Sequence, residues 1–175
     1  MGQVQKQQKV MLFAGLLYND HVDPPVIYNQ LENEFGTIVL RSKPFLFTET
    51  DYYAGEMGTV LTREWVAFDR LIDQEGISSI KLCCNAAELE HFSEQGRRNV
   101  NIDPGYLCLG KVVLATTKDN QHRLYLRDGI YGEVTLRFCK GNYVPWKWTY
   151  RDYRREEAVL FFQQLRSLYR GRIHA

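Results

Sequence analysis

KVMLFAGLLY, residues 9–18, is apolar from Val10 to Tyr18 with no polar alternation. A strand with one face in water alternates apolar and polar side chains, so an unbroken run of this length bounded by turn residues reads as a buried strand. Asn19-Asp20 closes it, and Asp23-Pro24-Pro25 opens a helix, because proline in the first helical turn lacks only an N–H that would have had no partner. Val26, Ile27, Leu31 and Phe35 recur at helical spacing as far as Gly36, which stops the helix.

Outward from this strand and helix the pattern continues. Thr37 to Leu40 is β-branched and apolar, and after a long polar insert Thr59 to Leu71 reads as another strand through Val60, Trp65, Val66 and Phe68. Ile77, Ile80, Leu82, Cys83, Ala87, Leu89 and Phe92 have helical periodicity between Gly76 and Gly96. Arg98 to Ile102 is short and extended, stopped by Asp103-Pro104-Gly105. The order β-α-β-β-α-β predicts an α+β fold with a ferredoxin-like half. Tyr106 to Ala115 fits either a helix or a buried strand. His122 to Leu126 and Ile130 to Phe138, joined through Arg127-Asp128-Gly129, form a hairpin, since Asp-Gly supplies positive φ angles. A helix over Glu156 to Tyr169 closes the chain, with a basic tail holding His174. With no repeat or Gly/Ser linker, residues 1–175 read as one domain, with any subdomain break near residues 103–105.

Composition narrows the function classes. The 175 residues are 45% hydrophobic and 25% charged, the balance of a folded domain, and 22 Lys and Arg against 21 Asp and Glu leave a net charge of +1. No overall field draws such a chain to nucleic acid or an anionic membrane, so any anion must be met by a local patch. Cys83, Cys84, Cys108 and Cys139 lack metal-ligand spacing and read as free thiols in a reducing compartment. The polar, Gln-rich start and the shortness of the Val10 to Tyr18 run speak for the cytoplasm rather than secretion or membrane insertion.

Five polar stretches fall at the joints between elements. In the insert, Thr48, Glu49, Thr50, Asp51, Tyr52 and Tyr53, continued by Glu56, put hydroxyls, carboxylates and phenols between two apolar strands; they form either a ligand-facing loop or a solvated turn closed by local hydrogen bonds. Asn101, Asp103 and Tyr106 form a second group, which either orients a ligand at a sheet edge or caps a Pro-Gly turn. Thr116, Thr117, Lys118 and Arg123 combine neutral donors with cations, as a phosphate or carboxylate requires. His122, within that cluster, is the one candidate proton carrier near neutral pH. On the fourth stretch Tyr131, Glu133 and Thr135 share one strand face, read as an exposed sheet face. Were Asp51, Glu56, Asp103 and Glu133 to converge, they would suit Mg²⁺ or Mn²⁺. The fifth, Trp146 to Arg155, interleaves aromatics with cations; it either stacks on bases or clamps the last helix to the core.

Taken together, FTETDYYAGEMG, NIDPGYL, ATTKDNQHRLYL, DGIYGEVTL and TYRDY resemble the signature stretches of a bacterial and archaeal family, the domain-of-unknown-function 4416 family. The resemblance spans nearly the whole chain and implies no assigned activity. Some members are labelled GTP-binding, but the G-x-x-x-x-G-K-[ST] pattern is absent here. Where relatives commonly read TYPDY, this sequence has Arg151 in place of proline.

Three functions follow. The first is a cytoplasmic binding domain for a small anionic or phosphorylated, nucleotide-like ligand, held by Thr48, Thr50, Tyr52, Tyr53, Asn101, Asp103, Tyr106, Thr116, Thr117, Lys118, Arg123 and Tyr131. The second is a hydrolase or transferase at a phosphoryl or acyl centre, with Asp51 and His122 in acid–base roles or a divalent metal on the carboxylates. The third is an RNA- or protein-interaction domain, which the neutral charge balance disfavours. Oligomeric state is open.

Overall fold

The computed structural model describes residues 2–3 and 7–173; His174 lies outside the described residues. The elements are β1 (Val10–Tyr18), α1 (Pro24–Phe35), β2 (Ile38–Arg41), β3 (Phe45–Leu46), α2 (Ala54–Met57), β4 (Thr62–Ile72), α3 (Ile77–His91), β5 (Ser93–Glu94), β6 (Arg97–Arg98), β7 (Val100–Cys108), β8 (Lys111–Thr116), β9 (Leu124–Arg127), β10 (Ile130–Cys139), β11 (Asn142–Pro145) and α4 (Glu156–Ile173). Short 3₁₀ turns occupy Gln74–Gly76 and Asp152–Arg154. The result is an α+β fold around one nine-stranded sheet, in the order β11-β10-β8-β7-β1-β4-β2, with β3 on β4 and β9 on β10; β5 and β6 pair separately. Every pairing is antiparallel.

Why residues 10–18 carry no polar alternation is now plain: β1 is central and covered on both faces. Val10, Leu12, Ala14 and Leu16 pack toward Ile27, Leu31 and Phe35 of α1 and Ile77 and Cys84 of α3. Met11 and Phe13 pack the other way, with Trp65 and Ala67, against Phe161, Phe162 and Leu165 of α4. Each such side chain removed from water contributes about 1.5 to 3 kcal/mol, so burial against α4 on one face and against α1 and α3 on the other holds the helices to the sheet.

One sequence expectation changes here, and one open reading is decided. Asp103-Pro104-Gly105 does not stop a strand; these residues lie inside β7, opposite Gly15, Ala14 and Phe13 of β1. The turn statistics of Pro-Gly are local, whereas the β1 partner holds the segment extended. Pro104 is tolerated because the ladder to β8 begins only at Gly105, opposite Leu114. Tyr106 to Ala115, open in sequence, is the end of β7, a tight turn and β8. Gly105 is required by crowding: a Cβ there would lie 2.4 Å from the Val113 carbonyl oxygen and 2.5 Å from the Phe13 ring. Asp128 and Gly129 take φ of 53° and 75°, the hairpin geometry that Asp-Gly implies.

Candidate functional site

On the α4 side of the sheet the register puts Leu17, Arg63 and Asn101 in one row, and Gly15, Trp65 and Asp103 in the next. α4 covers the apolar part of this face, through Met11, Phe13 and Leu107, and the polar rows lie beyond it. There a cavity of about 920 Å³ opens. The insert walls one side with Phe47, Tyr52 and Tyr53; the loop after β8 and the segment before α4 wall the others. Past Gly105 and Leu114, where β7 and β8 cease to pair, Lys81 of α3 reaches Asp103 (Nζ to Oδ1, 3.3 Å) and donates to the Ile102 carbonyl at 2.9 Å.

Arg63 forms the floor. It is 5% exposed, and its Nε lies 2.9 Å from Asp152 Oδ2, close enough for an ion pair but not aligned as a hydrogen bond. Nε therefore has no hydrogen-bond acceptor among the described residues, and neither does the buried hydroxyl of Tyr153 beside it. Both residues line the cavity. Gly15 lets them come this close, since a Cβ would stand 3.0 Å from Arg63 Nη2 and 3.1 Å from the Tyr153 hydroxyl. Buried donors without acceptors cost about 1 to 3 kcal/mol each, more when charged.

Most of the surrounding charges are paired. Burial pushes the Asp103 carboxyl up, but Lys81 and Arg63, with hydrogen bonds from Lys81 and Asn101, outweigh it and hold Asp103 below the ordinary carboxylate range. Burial raises Asp152, only partly offset by Arg63. Burial also raises Glu88, which accepts from the Ile102 N–H at 2.7 Å and pairs with Arg98. Arg98, on β6, also binds Glu56 and so ties α2 to β6 and, through Glu88, to α3. Arg123 donates to Glu133 at 2.7 Å, to the Lys118 carbonyl at 2.9 Å and to the Tyr150 hydroxyl at 2.7 Å. Lys118 reaches over the mouth to lie 3.8 Å from the Tyr52 ring centroid.

Of the residues singled out in sequence, Thr50, Tyr52, Tyr53, Asn101, Asp103, Thr116, Thr117, Lys118, Arg123 and Glu133 line this one cavity. Others do not. Tyr106 faces the opposite core, packed with α1 and α3, because it stands an odd number of residues from Asp103 on β7. Thr48 and Asp51 are exposed outside the lining, and the Thr50 hydroxyl closes a local turn by accepting from Tyr52 N–H. Tyr131 packs edge-on against Tyr125. His122 stacks on Trp148 at 5.3 Å and sets Nε2 3.2 Å from Glu133, behind the wall. The four carboxylates read as a metal set do not converge: Glu56 is held by Arg98, Asp103 by Lys81 and Glu133 by Arg123, and no group of three or more His, Cys, Asp or Glu suited to a metal occurs among the described residues. The polar face of β10 is buried rather than exposed: Glu133 and Thr135 lie under the segment from Trp146, where the Thr149 hydroxyl donates to the Thr135 carbonyl at 2.5 Å.

Arg63, Lys81 and Glu88 escaped the sequence reading. The available signal was Arg63-Glu64 inside an otherwise apolar central strand, a position where a charge needs a partner or a task.

An α+β fold with a cleft on the α4 side of its sheet, floored by a buried arginine and ringed largely by paired charges, is the class of protein at hand. The chain belongs to the domain-of-unknown-function 4416 family, whose profile matches residues 8–169. No curated protein and no solved structure matches it. Among the described residues no helix is long and apolar enough to cross a membrane.

Proposed function

We propose that the cleft is a binding site for a small anionic, phosphorylated ligand, with Arg63 as its anchor. The observation that carries this reading is a guanidinium, 5% exposed, whose Nε has no aligned acceptor among the described residues while the side chain lines a cavity. A planar guanidinium matches the oxygens of phosphate or carboxylate, and the unpartnered Tyr153 hydroxyl adds a neutral donor. Eight cationic side chains against five carboxylates line the cleft, so the local field favours an anion although the chain as a whole is near neutral.

The unit from β1 to β7 is read as ferredoxin-like, in support of which β7, β1, β4 and β2 lie side by side, all antiparallel, with α1 and α3 as the two connections on one face. A reducing, cytoplasmic setting accords with the four cysteines being free thiols. Acid–base chemistry through Asp51 and His122 has less support, since neither lines the cleft.

Thermal melts with inorganic phosphate, organic phosphates and carboxylates test the reading, because a ligand that binds only the folded state raises the melting temperature. At least one phosphorylated compound should raise it in the wild type, and Arg63→Met and Tyr153→Phe should each abolish or reduce the shift. The reading is wrong if no anion stabilises the protein, or if the shift persists in both variants.

A further inference from the structure

The cleft sorts its charges into two places. Each lining carboxylate already has a cation: Asp152 has Arg63, Asp103 has Lys81, Glu88 has Arg98, Glu133 has Arg123 and Glu49 has Arg155. Of the remaining cations at the rim, Arg154 is spent on the carbonyls of Thr149, Trp146 and Lys147, and Lys118 lies over Tyr52. Lys147 and Arg151 line the cavity and have no carboxylate, carbonyl or ring partner among the described residues. The molecule therefore offers an anion two positions: a buried one at Arg63, whose Nε is paired with Asp152 by charge but by no aligned hydrogen bond, and an open one at Lys147 and Arg151.

Size and wall chemistry describe what joins them. At about 920 Å³ the cavity is near the upper end of the range of about 300 to 1,000 Å³ typical of small-molecule sites, far more than one phosphate fills. The wall of the same cavity also carries Thr50, Asn85, Thr116 and Thr117. The hydroxyls of Thr50 and Thr116 accept backbone N–H groups and keep their own protons to donate, and the Thr117 and Asn85 side chains are uncommitted among the described residues. Uncharged donors and acceptors of this kind suit hydroxyl groups.

We propose that the ligand is a polyhydroxylated compound phosphorylated at both ends, of the sugar-bisphosphate kind, with one phosphate on Arg63 and Tyr153 and the other on Lys147 and Arg151. This rests on the reading of the cleft as an anion site. Titration calorimetry compares inorganic phosphate, ribose 5-phosphate with ribose 1,5-bisphosphate, and fructose 6-phosphate with fructose 1,6-bisphosphate. In the wild type at least one bisphosphate should bind about tenfold or more tightly than its monophosphate, a gain of the size a second ion pair supplies. In the double variant Lys147→Gln, Arg151→Gln that ratio should fall to near unity. Both side chains are exposed and unpartnered, so the melting temperature of the free protein checks that the fold is retained. Equal affinities for mono- and bisphosphate in the wild type, or a ratio that survives in the double variant, overturn the proposal. If monophosphate binds and depends on Arg63 while the bisphosphate has no advantage, the second position alone fails; if no phosphate compound binds, the anion reading fails with it.

Discussion

Arg63 Nε and Asp152 Oδ2 lie 2.9 Å apart with each side chain 6% exposed, yet the donor is turned out of hydrogen-bond alignment. This pair joins β4 to the segment before α4 and leaves the guanidinium directed by charge rather than by a fixed bond. Breaking a buried pair from one side typically costs about 3 to 5 kcal/mol, since the other charge is left uncompensated.

Arg63→Met should accordingly destabilise the protein by about 3 to 5 kcal/mol at pH 7, and the loss should depend on pH. Burial already raises Asp152 with Arg63 present, and removing the cation raises it further. A carboxyl whose folded pKa is raised binds more protons folded than unfolded, so its contribution is fully present below the unfolded value and is lost as pH rises through the folded one. Urea unfolding at pH 7 and pH 5 should find part of the variant's deficit recovered at the lower pH. A deficit that does not change with pH would mean that Asp152 is not the group left unpaired.

Gly15 and Gly105 lie two residue pairs apart on this face and should respond differently to alanine. At Gly105 the new Cβ meets backbone, the Val113 carbonyl at 2.4 Å, so two strands must part; a loss of about 2 kcal/mol or more is expected. At Gly15 the Cβ meets side-chain ends, not backbone, at 3.0 and 3.1 Å, so the cost should be smaller than at Gly105. Gly15→Ala displaces Arg63 and Tyr153, and should therefore weaken phosphate binding more than it lowers stability. Denaturant melts and calorimetry on both variants separate the two effects.

The contrast between Gly105 and the Asp103-Pro104-Gly105 reading explains what was legible. Residues 10–18, the helix from Ile77 and the Asp128-Gly129 hairpin follow from local pattern and φ preference, and the sequence carries those signals itself. Asp103-Pro104-Gly105 reads as a turn because its partner on β1 is some ninety residues away, and no local statistic includes it. The same holds at the site. Polar residues clustered at joints, such as Tyr53, Asp103, Lys118 and Arg123, were recognisable, and the fold brings them to one cleft. Lys81 sits between Ile80 and Leu82 on a helix, and nothing near it in the sequence signals the gap between β7 and β8 that it enters.

Two carboxylates near the core should respond oppositely to neutralisation. Asp103 is held below the ordinary range by Lys81 and Arg63 despite burial, so its contribution is present above its unfolded pKa and is lost as pH falls through its folded one. Asp103→Asn leaves Lys81, 6% exposed, without its counter-charge and should cost about 3 kcal/mol at pH 7. Glu64 is instead raised by burial, while accepting from the Tyr28 and Tyr18 hydroxyls at 2.6 and 3.3 Å. Glu64→Gln keeps an acceptor for both phenols without a buried charge, so it should change stability by no more than about 0.5 kcal/mol, and in the stabilising direction at higher pH. Unfolding free energies measured from pH 2 to 8 should show the Asp103→Asn deficit growing as pH rises through the lower carboxylate range, while Glu64→Gln gains on the wild type only at higher pH. A large loss in Glu64→Gln would show that Arg41, whose charge favours the ionised form, stabilises the carboxylate more than burial penalises it.

Arg151 tests how far the departure from the TYPDY form matters for the backbone. It has φ of −61° and ψ of −40° at the start of the 3₁₀ turn, and proline fixes φ near −65°. Its N–H makes none of the turn and loop backbone bonds that hold this segment, which run instead from Arg154 to the Arg151 carbonyl and from Thr149 to the Trp146 carbonyl. Proline at this position removes freedom from the unfolded chain and no bond from the folded one, so Arg151→Pro should stabilise the protein by about 0.4 to 1 kcal/mol. The same change takes one cation from the rim, so the melting temperature should rise while the preference for a bisphosphate over its monophosphate falls. A drop in melting temperature would mean that Tyr150, the residue before it, is held in a conformation proline does not permit.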